Sequence, residues 1–367
     1  MQFQSLLPAQ WTNAKRVLYM THLAIGDYYY QRTFLAELKR RYPHLSLDIW
    51  IDDCRLRPKP WHAGRNQILC QWLESESHFK KIYPICASRN ERKAMIKQAQ
   101  GEDYDIVIFM AHNRTENFAQ FARQICPNGW VAGTRTKPLE KWLRKWQVFN
   151  SVDFYLNLDS ESETSHIQEK YQQRFAQLFG FDFPTNLSML PITVPNQQMD
   201  NMAQWISDFK HANTTNISQG VVVLNHLSTN QKRNLPNTHV VELIIRLHRH
   251  YPDYGFVLNV PPNAIESTRE LINNSNSLSD INVDLFTATE HFFQLPALLS
   301  LCDIVITVET AVMHLAAGLN VPQIVLMREN ASQWQPLRAD EILLGKHVVA
   351  DIPISDIVAA FQRITIR

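Results

Sequence analysis

Glycine is scarce in this chain of 367 residues, and its 10 glycines form none of the loops that cradle phosphate groups. The sequence has no Gly-x-Gly-x-x-Gly pattern, which marks dinucleotide-binding folds, and no Gly-x-x-x-x-Gly-Lys-Ser/Thr pattern, which marks P-loops. These absences argue against a dinucleotide-dependent oxidoreductase and against a P-loop nucleotide hydrolase.

Cysteine is present without any ordered spacing. The five cysteines are odd in number and widely separated, and no two of them form a Cys-x-x-Cys pair. Such usage fits a reducing compartment, and it predicts neither a disulfide framework nor a zinc site.

Net charge and long apolar runs are lacking as well. The formal charge is +1 at pH 7, so the chain as a whole gives no argument for a nucleic-acid partner. No run of about 18 apolar residues predicts a membrane-spanning helix. The beginning of the chain, MQFQSLLPAQWTNAKR, lacks the features of a signal peptide. We therefore expect a soluble cytoplasmic protein.

What the sequence does contain is a repeated alternation of strand-like and helix-like segments. Apolar runs at residues 16–20, 45–51 and 105–110 read as buried strands, and amphipathic helical segments lie between them. A second series of this kind begins at residue 220. The alternation predicts an α/β fold made of parallel βαβ units.

The length favours two domains, because a single core seldom grows past about 250–300 residues. We expect Rossmann-like, doubly wound domains at residues 1–185 and 201–367, facing a central cleft. A Pro- and Asn-containing linker is predicted at residues 186–200. The final helix is expected to pack back toward the N-terminal domain. Sheets of this type bind ligands beyond the carboxyl ends of their strands.

One possible metal motif lies at Asp103-Tyr104-Asp105, an Asp-x-Asp pattern found in some nucleotide-sugar enzymes. We interpret it instead as a polar turn before a strand, so no metal site is expected.

Three polar residues, Glu309, Thr310 and His314, lie where a predicted strand meets an alanine-rich helix. A helix N-terminus has unpaired N–H groups and a partial positive charge, which suit a diphosphate without a glycine-rich loop. Thr310 can cap the helix or donate to a phosphate oxygen, and His314 lies on the same helix face. Spacing alone is explained equally well by a capped helix with a satisfied histidine.

The same region resembles the signature of glycosyltransferase family 9, the ADP-heptose:lipopolysaccharide heptosyltransferases. The resemblance is carried by LPALLSLCDIVITVETAVMHLAAGLNVPQIVLM at residues 295–327 and by Trp-Gln-Pro at residues 334–336. Residues 16–52 resemble the family's opening strand, Gly-Asp turn, helix and second strand, and residues 224–236 resemble the start of its second domain. Two residues depart from the family pattern: Glu309 replaces Asp, and Ala311 replaces Gly.

This resemblance implies a GT-B fold and an inverting, metal-independent transfer of a heptose or related sugar. It also implies an inner-core lipopolysaccharide acceptor, a donor such as ADP-heptose and no cofactor. The alternatives are a catalytically silent relative that binds nucleotide or glycan, and a transferase with another donor sugar. For the donor, the resemblance implies Lys232 at the diphosphate, with the following residues nearby: Thr229, Arg233, Glu309, Thr310, Ala311 and His314. It gives Glu266 a role at the ribose, although a surface helix glutamate explains Glu266 as well.

The catalytic base implied by the resemblance is Asp27, at the family's Gly-Asp turn. Asp27 follows the first strand through a short loop, so it is expected at the carboxyl end of the sheet. Gly26 would let the backbone turn or approach the acceptor closely. The alternative role for Asp27 is the N-cap of the next helix.

Basic residues in the first domain suit an anionic glycolipid acceptor. The candidates are Arg57, Lys59, Arg65 and Arg135, because guanidinium and ammonium groups bind phosphate and carboxylate. A segment with tryptophans at helical spacing, residues 139–149, could lie on the cytoplasmic face of the inner membrane. An ordinary amphipathic helix that packs into the core explains the same spacing.

Overall fold

The computed structural model describes residues 6–59, 67–136, 148, 150–158, 165–184, 187–211 and 217–366. It divides the chain into two compact units, Met1–Leu190 and Pro191–Arg367. Two features predicted from the sequence fall outside the described residues: Arg65, and nearly all of the tryptophan-containing segment at residues 139–149.

The first unit is built on a parallel sheet with the strand order β3-β2-β1-β4-β5-β6. Its strands are β1 (Arg16–Thr21), β2 (Ser46–Trp50), β3 (Lys81–Tyr83), β4 (Ile106–Met110), β5 (Trp130–Arg135) and β6 (Phe154–Asn157). Its helices are α1 (Pro8–Asn13), α2 (Ile25–Arg41), α3 (Gln67–Glu74), α4 (Arg89–Gln100), α5 (Thr115–Ile125) and α6 (Ile167–Phe179). All of β4 is buried, as expected for a parallel strand that is covered on both faces.

The second unit repeats this topology, with the strand order β12-β11-β10-β7-β8-β9. Its strands are β7 (Gly220–Asn225), β8 (Tyr254–Asn259), β9 (Val283–Phe286), β10 (Ile304–Val308), β11 (Gln323–Arg328) and β12 (Glu341–Gly345). Its helices are α7 (Asn196–His211), α8 (Asn237–His250), α9 (Ile265–Asn273), α10 (Gln294–Leu301), α11 (Ala311–Gly318) and α12 (Ile354–Thr365).

In both units the strand order reverses at one place, between β1 and β4 and between β7 and β10. The order from β3 to β6, and likewise from β9 to β12, is that of a doubly wound Rossmann-like sheet. Ligands bind such sheets in the crevice outside the carboxyl ends of the strands at this switch point.

Two expectations concern the predicted linker and the final helix. Residues 196–200, predicted to lie in the linker, begin α7, whose buried face is formed by Met202, Ile206 and Phe209. The final helix, α12, packs on α8, β11 and β12 and buries Ile357 and Phe361 in the core of the second unit. The expected packing of this helix toward the N-terminal domain stays a prediction.

The Asp103-Tyr104-Asp105 segment lies in the connection between α4 and β4, and it ends in a bend at Asp105. The Asp105 carboxylate accepts hydrogen bonds from the N–H groups of Lys15 and Arg16 and so ties β4 to the start of β1. Within the described residues, no helix is long and apolar enough to cross a membrane.

The end of α6 depends on a glycine. Gly180 follows the helix in the left-handed conformation, with φ 69°, and its N–H group donates to the carbonyl oxygen of Ala176. A Cβ atom at this position would lie 1.8 Å from the carbonyl oxygen of Leu6. Both the backbone conformation and the lack of space therefore require glycine.

We expect Gly180→Ala to lower the free energy of unfolding by about 1–2 kcal/mol from the left-handed backbone, with a further loss from displacement of Leu6. Gly101→Ala is the matched control. Gly101 also follows a helix, but with φ −69°, and the nearest atom to an added Cβ would be 3.4 Å away. Urea denaturation measures both. Equal stability of the two variants would show that Gly180 is not required.

A second stability determinant is His226, which directly follows β7 and is buried. Burial lowers the pKa of its imidazole to about 4, and the side chain of Asn237 opposes this effect in part. The folded state therefore favours the neutral ring. Because the pKa of histidine in an unfolded chain is about 6.5, the unfolded state takes up a proton first as the pH falls.

The contribution of neutral His226 to the free energy of unfolding is fully present above about pH 6.5. It is lost as the pH falls toward 4, at up to about 1.4 kcal/mol per pH unit. His226→Phe, which cannot titrate, is expected to flatten the pH dependence of unfolding in this window. The exposed His250 provides the control, since His250→Phe should keep the wild-type slope. Urea denaturation between pH 4.5 and 7 compares the slopes, and an unchanged slope in His226→Phe would contradict the assignment.

Candidate functional site

A pocket of about 190 Å³ lies at the switch point of the first unit. It is lined by Thr21, His22, Ala24, Asp27, Gln31, Met110, Ala111, His112, Asn113 and Tyr171. We call it the Asp27 pocket. Most of these residues belong to the ends of β1 and β4, to the segments that follow them, or to the first turns of α2. The pocket therefore lies where a doubly wound sheet is expected to bind a ligand.

Asp27 is the ionisable carboxyl group of this pocket. Helix α2 begins at Ile25, with Ala24 as its N-cap, so Asp27 is the third residue of the helix. One carboxylate oxygen accepts a hydrogen bond from the Ala24 N–H group at 3.2 Å, and the other accepts one from the Tyr171 hydroxyl at 2.8 Å. Asp27 thus stabilises the helix start without being the N-cap, and it still lines the pocket.

Gly26 differs from the expectation in its backbone, and its predicted role at the acceptor stays a prediction. It is buried within the first turn of α2 and has a helical backbone, so it does not form a turn before the helix. From the sequence alone, the residues up to Asp27 could equally form a loop. Ala24, which acts as the N-cap, has no polar side chain that would indicate a helix start.

Helix α6 contributes two buried side chains to the surroundings of the Asp27 pocket. Tyr171 donates to Asp27, and Arg174, one turn further along, lies with a guanidinium nitrogen 2.8 Å from Nε2 of His112. A guanidinium group can only donate, so Nε2 is the acceptor and the proton of the neutral imidazole is on Nδ1. Burial, and to a smaller extent the Asp27 charge, raise the pKa of Tyr171 well above its usual range. Tyr171 therefore remains a donor.

The sequence did not predict these partners of Asp27. His112 could have been noticed because it follows the apolar run of β4, where a polar residue reaches the sheet edge. Tyr171 and Arg174 gave no such signal, since α6 reads as an ordinary amphipathic helix.

Of the predicted basic acceptor residues, the three that the structure describes do not line the Asp27 pocket. Arg57 and Lys59 are exposed in the loop after β2. Arg135, at the end of β5, donates to the Tyr155 hydroxyl at 3.0 Å and lies over the ring of that tyrosine. None of these three lines the pocket.

In the second unit, a network of neutral polar side chains joins the carboxyl ends of β7, β8 and β10. The amide of Asn225 donates to the hydroxyl oxygens of Thr307 and Thr310, each at 3.0 Å, and accepts from Asn259 at 2.9 Å. Thr310 is the N-cap of α11 and accepts from the N–H group of Val312. Since the Thr310 oxygen accepts both bonds, its own hydrogen can be donated to another group.

The capping interpretation of Thr310 is thus confirmed, and a ligand-binding role for its hydroxyl stays a prediction. Sequence reasoning missed Asn225 and Asn259, although each is a polar residue at the end of an apolar strand. Ala311 is the first residue of α11, and His314 is buried on the same helix.

Glu309 is the centre of a second, charged group at this sheet edge. Its side chain is 3% exposed and accepts two hydrogen bonds from the guanidinium group of Arg328, at 3.1 and 2.9 Å. Nε of Arg233 lies 3.3 Å from the same carboxylate. We call Glu309, Arg233 and Arg328 the Glu309 triad. The Glu309 carboxylate raises the pKa of Arg328.

The other predicted donor residues lie on the surface. Lys232 and Thr229 are exposed, and Lys232 belongs to the same short 3-10 turn as Arg233, Gln231–Arg233. Glu266 is exposed on α9 and forms an ion pair with Arg269, which supports the surface-glutamate interpretation. The structure thus gathers Glu309, Thr310 and Arg233 around the end of β10 and adds Arg328, which the sequence did not predict.

Known proteins resemble the chain both in sequence and in fold. The sequence profile of glycosyltransferase family 9 (heptosyltransferase) matches residues 92–350. No curated protein matches the sequence. Among solved structures, a glycosyl transferase family 9 protein from Veillonella parvula is similar, with a TM-score of 0.73 and 16% identity, over 96% of this chain and 97% of that one.

Two proteins of E. coli are similar as well. ADP-heptose lps heptosyltransferase II has a TM-score of 0.70 and 15% identity, over 96% of this chain and 98% of that one. Heptosyltransferase WaaC, solved with ADP, has a TM-score of 0.63 and 16% identity, over 95% and 99%. At these identities the likeness shows the fold, and it confirms the predicted GT-B class with two Rossmann-like units. The profile match spans well over half of the chain, and the protein belongs to glycosyltransferase family 9, the heptosyltransferase family.

Proposed function

We propose that this protein transfers a heptose or a related sugar from a nucleoside diphosphate sugar to an inner-core lipopolysaccharide or lipooligosaccharide acceptor. The transfer inverts the anomeric centre and needs neither a metal ion nor another cofactor. The observation that carries the proposal is the group of cationic and hydroxyl side chains at the N-terminus of α11, where Thr310 caps the helix. ADP-heptose is the donor that best fits the family.

The donor half of the proposal follows from charge. When the bond between the sugar and the diphosphate breaks, negative charge grows on the departing phosphate oxygen, and fixed positive charge nearby lowers the barrier. The N–H groups at the start of α11 and the Lys232 ammonium group supply it. The exposure of Lys232 fits a residue that meets its partner only when the donor binds.

The acceptor half rests on Asp27. An acceptor hydroxyl in the Asp27 pocket would lose its proton to the Asp27 carboxylate while its oxygen attacks the anomeric carbon, and the sugar–phosphate bond would break on the opposite face. Attack opposite to the leaving group gives inversion. The Tyr171 hydroxyl and the Ala24 N–H group each donate a hydrogen bond to one carboxylate oxygen, and they hold the carboxylate in a fixed orientation at the pocket.

A second candidate function is the binding of nucleotide or glycan without transfer. It is favoured by the departures at Glu309 and Ala311, because the Glu309 carboxylate is already occupied by two arginines. Measurement of sugar transfer and of donor hydrolysis, alongside nucleotide binding, separates the two functions. The predicted contact with the inner membrane stays a prediction, because residues 137–147 lie outside the described residues.

The donor prediction concerns nucleotide choice and Lys232. We expect ADP to raise the thermal unfolding temperature more than UDP or GDP does, since a ligand that binds only the folded state stabilises it. Lys232→Ala should lower turnover about a hundredfold or more, because it removes a cation at the leaving group.

Arg249→Ala serves as the control, since Arg249 is an exposed cation in the last turn of α8, which precedes the amino end of β8. Near-normal turnover of Lys232→Ala with saturating donor would exclude the role of Lys232. A preference for UDP or GDP would point to a transferase with another donor.

The acceptor prediction concerns Asp27. Asp27→Asn should lower turnover by roughly 10²–10⁴, because an amide cannot take the proton, while donor binding stays unchanged. Asn still accepts one of the two hydrogen bonds, so we expect a stability loss of at most about 1 kcal/mol.

Tyr171→Phe is the matched variant, because it removes one hydrogen bond to Asp27 and keeps the carboxylate. Initial rates of sugar transfer, with urea denaturation in parallel, distinguish the two. The base assignment fails if Asp27→Asn turns over normally, or if it loses no more activity than Tyr171→Phe.

A further inference from the structure

We propose that Arg328 and Arg233 bind the diphosphate of the donor directly and that Glu309 is a positioning residue that holds both guanidinium groups in place. This inference rests on the proposed function and changes the predicted role of Glu309, which was expected to contact the donor itself. It also gives a role to Arg328, which belongs to β11 and was not predicted.

The contacts with Glu309 leave the outer edges of both arginines for a ligand. Arg328 uses Nε and Nη2 to contact the two oxygens of Glu309. A guanidinium group has five N–H donors, so these two contacts leave three, on Nη1 and on the outer side of Nη2. Arg233 forms an ion pair with the same carboxylate through Nε, at 3.3 Å and without a hydrogen bond, which leaves its two terminal nitrogens for a ligand. Two parallel N–H donors match the oxygens of a phosphate group.

Exposure supports this division of roles. The side chain of Glu309 is 3% exposed, whereas those of Arg328 and Arg233 are 14% and 35% exposed. The carboxylate is therefore surrounded by protein, and the arginines reach the surface. A buried carboxylate is stable only when its charge is compensated, so Glu309 is bound to its two cations rather than left to receive sugar hydroxyls.

The charges suit an anion as well. One carboxylate and two guanidinium groups leave the Glu309 triad with a net charge of +1, and the neighbouring Lys232 adds another. A diphosphate therefore meets an excess of positive charge. Holding the arginines in place beforehand also reduces the side-chain entropy that is lost when the anion binds.

The length of the Glu309 side chain sets the distance between its carboxylate and the two arginines. An aspartate, which the family has at this position, would withdraw the carboxylate by about 1.5 Å, the length of one carbon–carbon bond. The contacts to Arg328 and Arg233 at about 3 Å would then be lost or require both arginines to move.

Binding of inorganic pyrophosphate to the full chain tests this inference, because pyrophosphate has no sugar and no base. If Glu309 were a ligand for donor hydroxyls, or only a nearby negative charge, Glu309→Gln would leave pyrophosphate affinity unchanged or increase it. If Glu309 positions the arginines, Glu309→Gln weakens pyrophosphate binding although it removes a negative charge. Weaker pyrophosphate binding by Glu309→Gln therefore supports the positioning role, and unchanged or tighter binding contradicts it.

We expect Arg328→Ala to weaken pyrophosphate binding about tenfold or more, in line with the loss of a charge-assisted hydrogen bond. Glu309→Gln and Glu309→Asp should each weaken it several-fold. Arg328→Lys keeps the charge but cannot form the paired contact, so its affinity should fall between those of wild type and Arg328→Ala. Isothermal titration calorimetry measures all four.

The matched control is Arg363→Ala. Arg363 forms the same paired contact with Glu341, at 2.9 and 2.8 Å, in the same unit and away from α11. It should bind pyrophosphate like wild type. Thermal unfolding without ligand shows which variants remain folded, and Arg328→Lys keeps the test informative if Arg328→Ala does not fold.

The outcomes separate this inference from the proposed function. If wild type binds neither pyrophosphate nor ADP, UDP or GDP, the donor half of the proposed function fails, and the inference fails with it. If wild type binds them and Lys232→Ala weakens binding, but Arg328→Ala or Glu309→Gln does not, the inference alone is overturned.

Discussion

Parallel strand pairing is the constraint on which both sites depend. In a parallel sheet that is covered on both faces, strand residues are mostly apolar, and most polar side chains lie at the strand ends. The described residues follow this rule closely, since β4, β7 and β10 are buried throughout. At the switch points between β1 and β4 and between β7 and β10, the strand ends border a crevice, and the two candidate sites lie there.

Within this frame, the partners of two carboxylates give them different chemistry. Asp27 is held by neutral donors, the Tyr171 hydroxyl and a backbone N–H group, and remains partly exposed in its pocket. Such partners orient the carboxylate and bring no opposite charge to it. Glu309 is buried between two arginines, and its charge is compensated by the protein. The first arrangement suits a base, and the second suits a support for cations.

Many features could be predicted from the sequence because they depend on neighbours along the chain. The apolar runs at residues 16–20, 45–51 and 105–110 became β1, β2 and β4, and Thr310 became a helix cap. Other predictions were incomplete or stay predictions, because no local signal in the sequence decides them. The start of α2 has no capping side chain, so Gly26 was assigned to a turn. The acceptor candidates Arg57, Lys59 and Arg135 were chosen by charge, and charge does not say which side chains line a pocket.

The sequence by itself determined the family, the alternation of strands and helices, and the carboxyl strand ends as the place of the sites. Periodicity and short motifs depend on residues that are close together along the chain, so they can be read from the sequence directly. Only the tertiary structure decided which side chains meet there. Tyr171 reaches Asp27 across 144 positions of the chain, and Arg328 and Arg233 meet Glu309 from two different segments. Such contacts arise because the fold brings segments that are distant along the chain to one edge of a sheet. The spacing of residues in the sequence does not predict them.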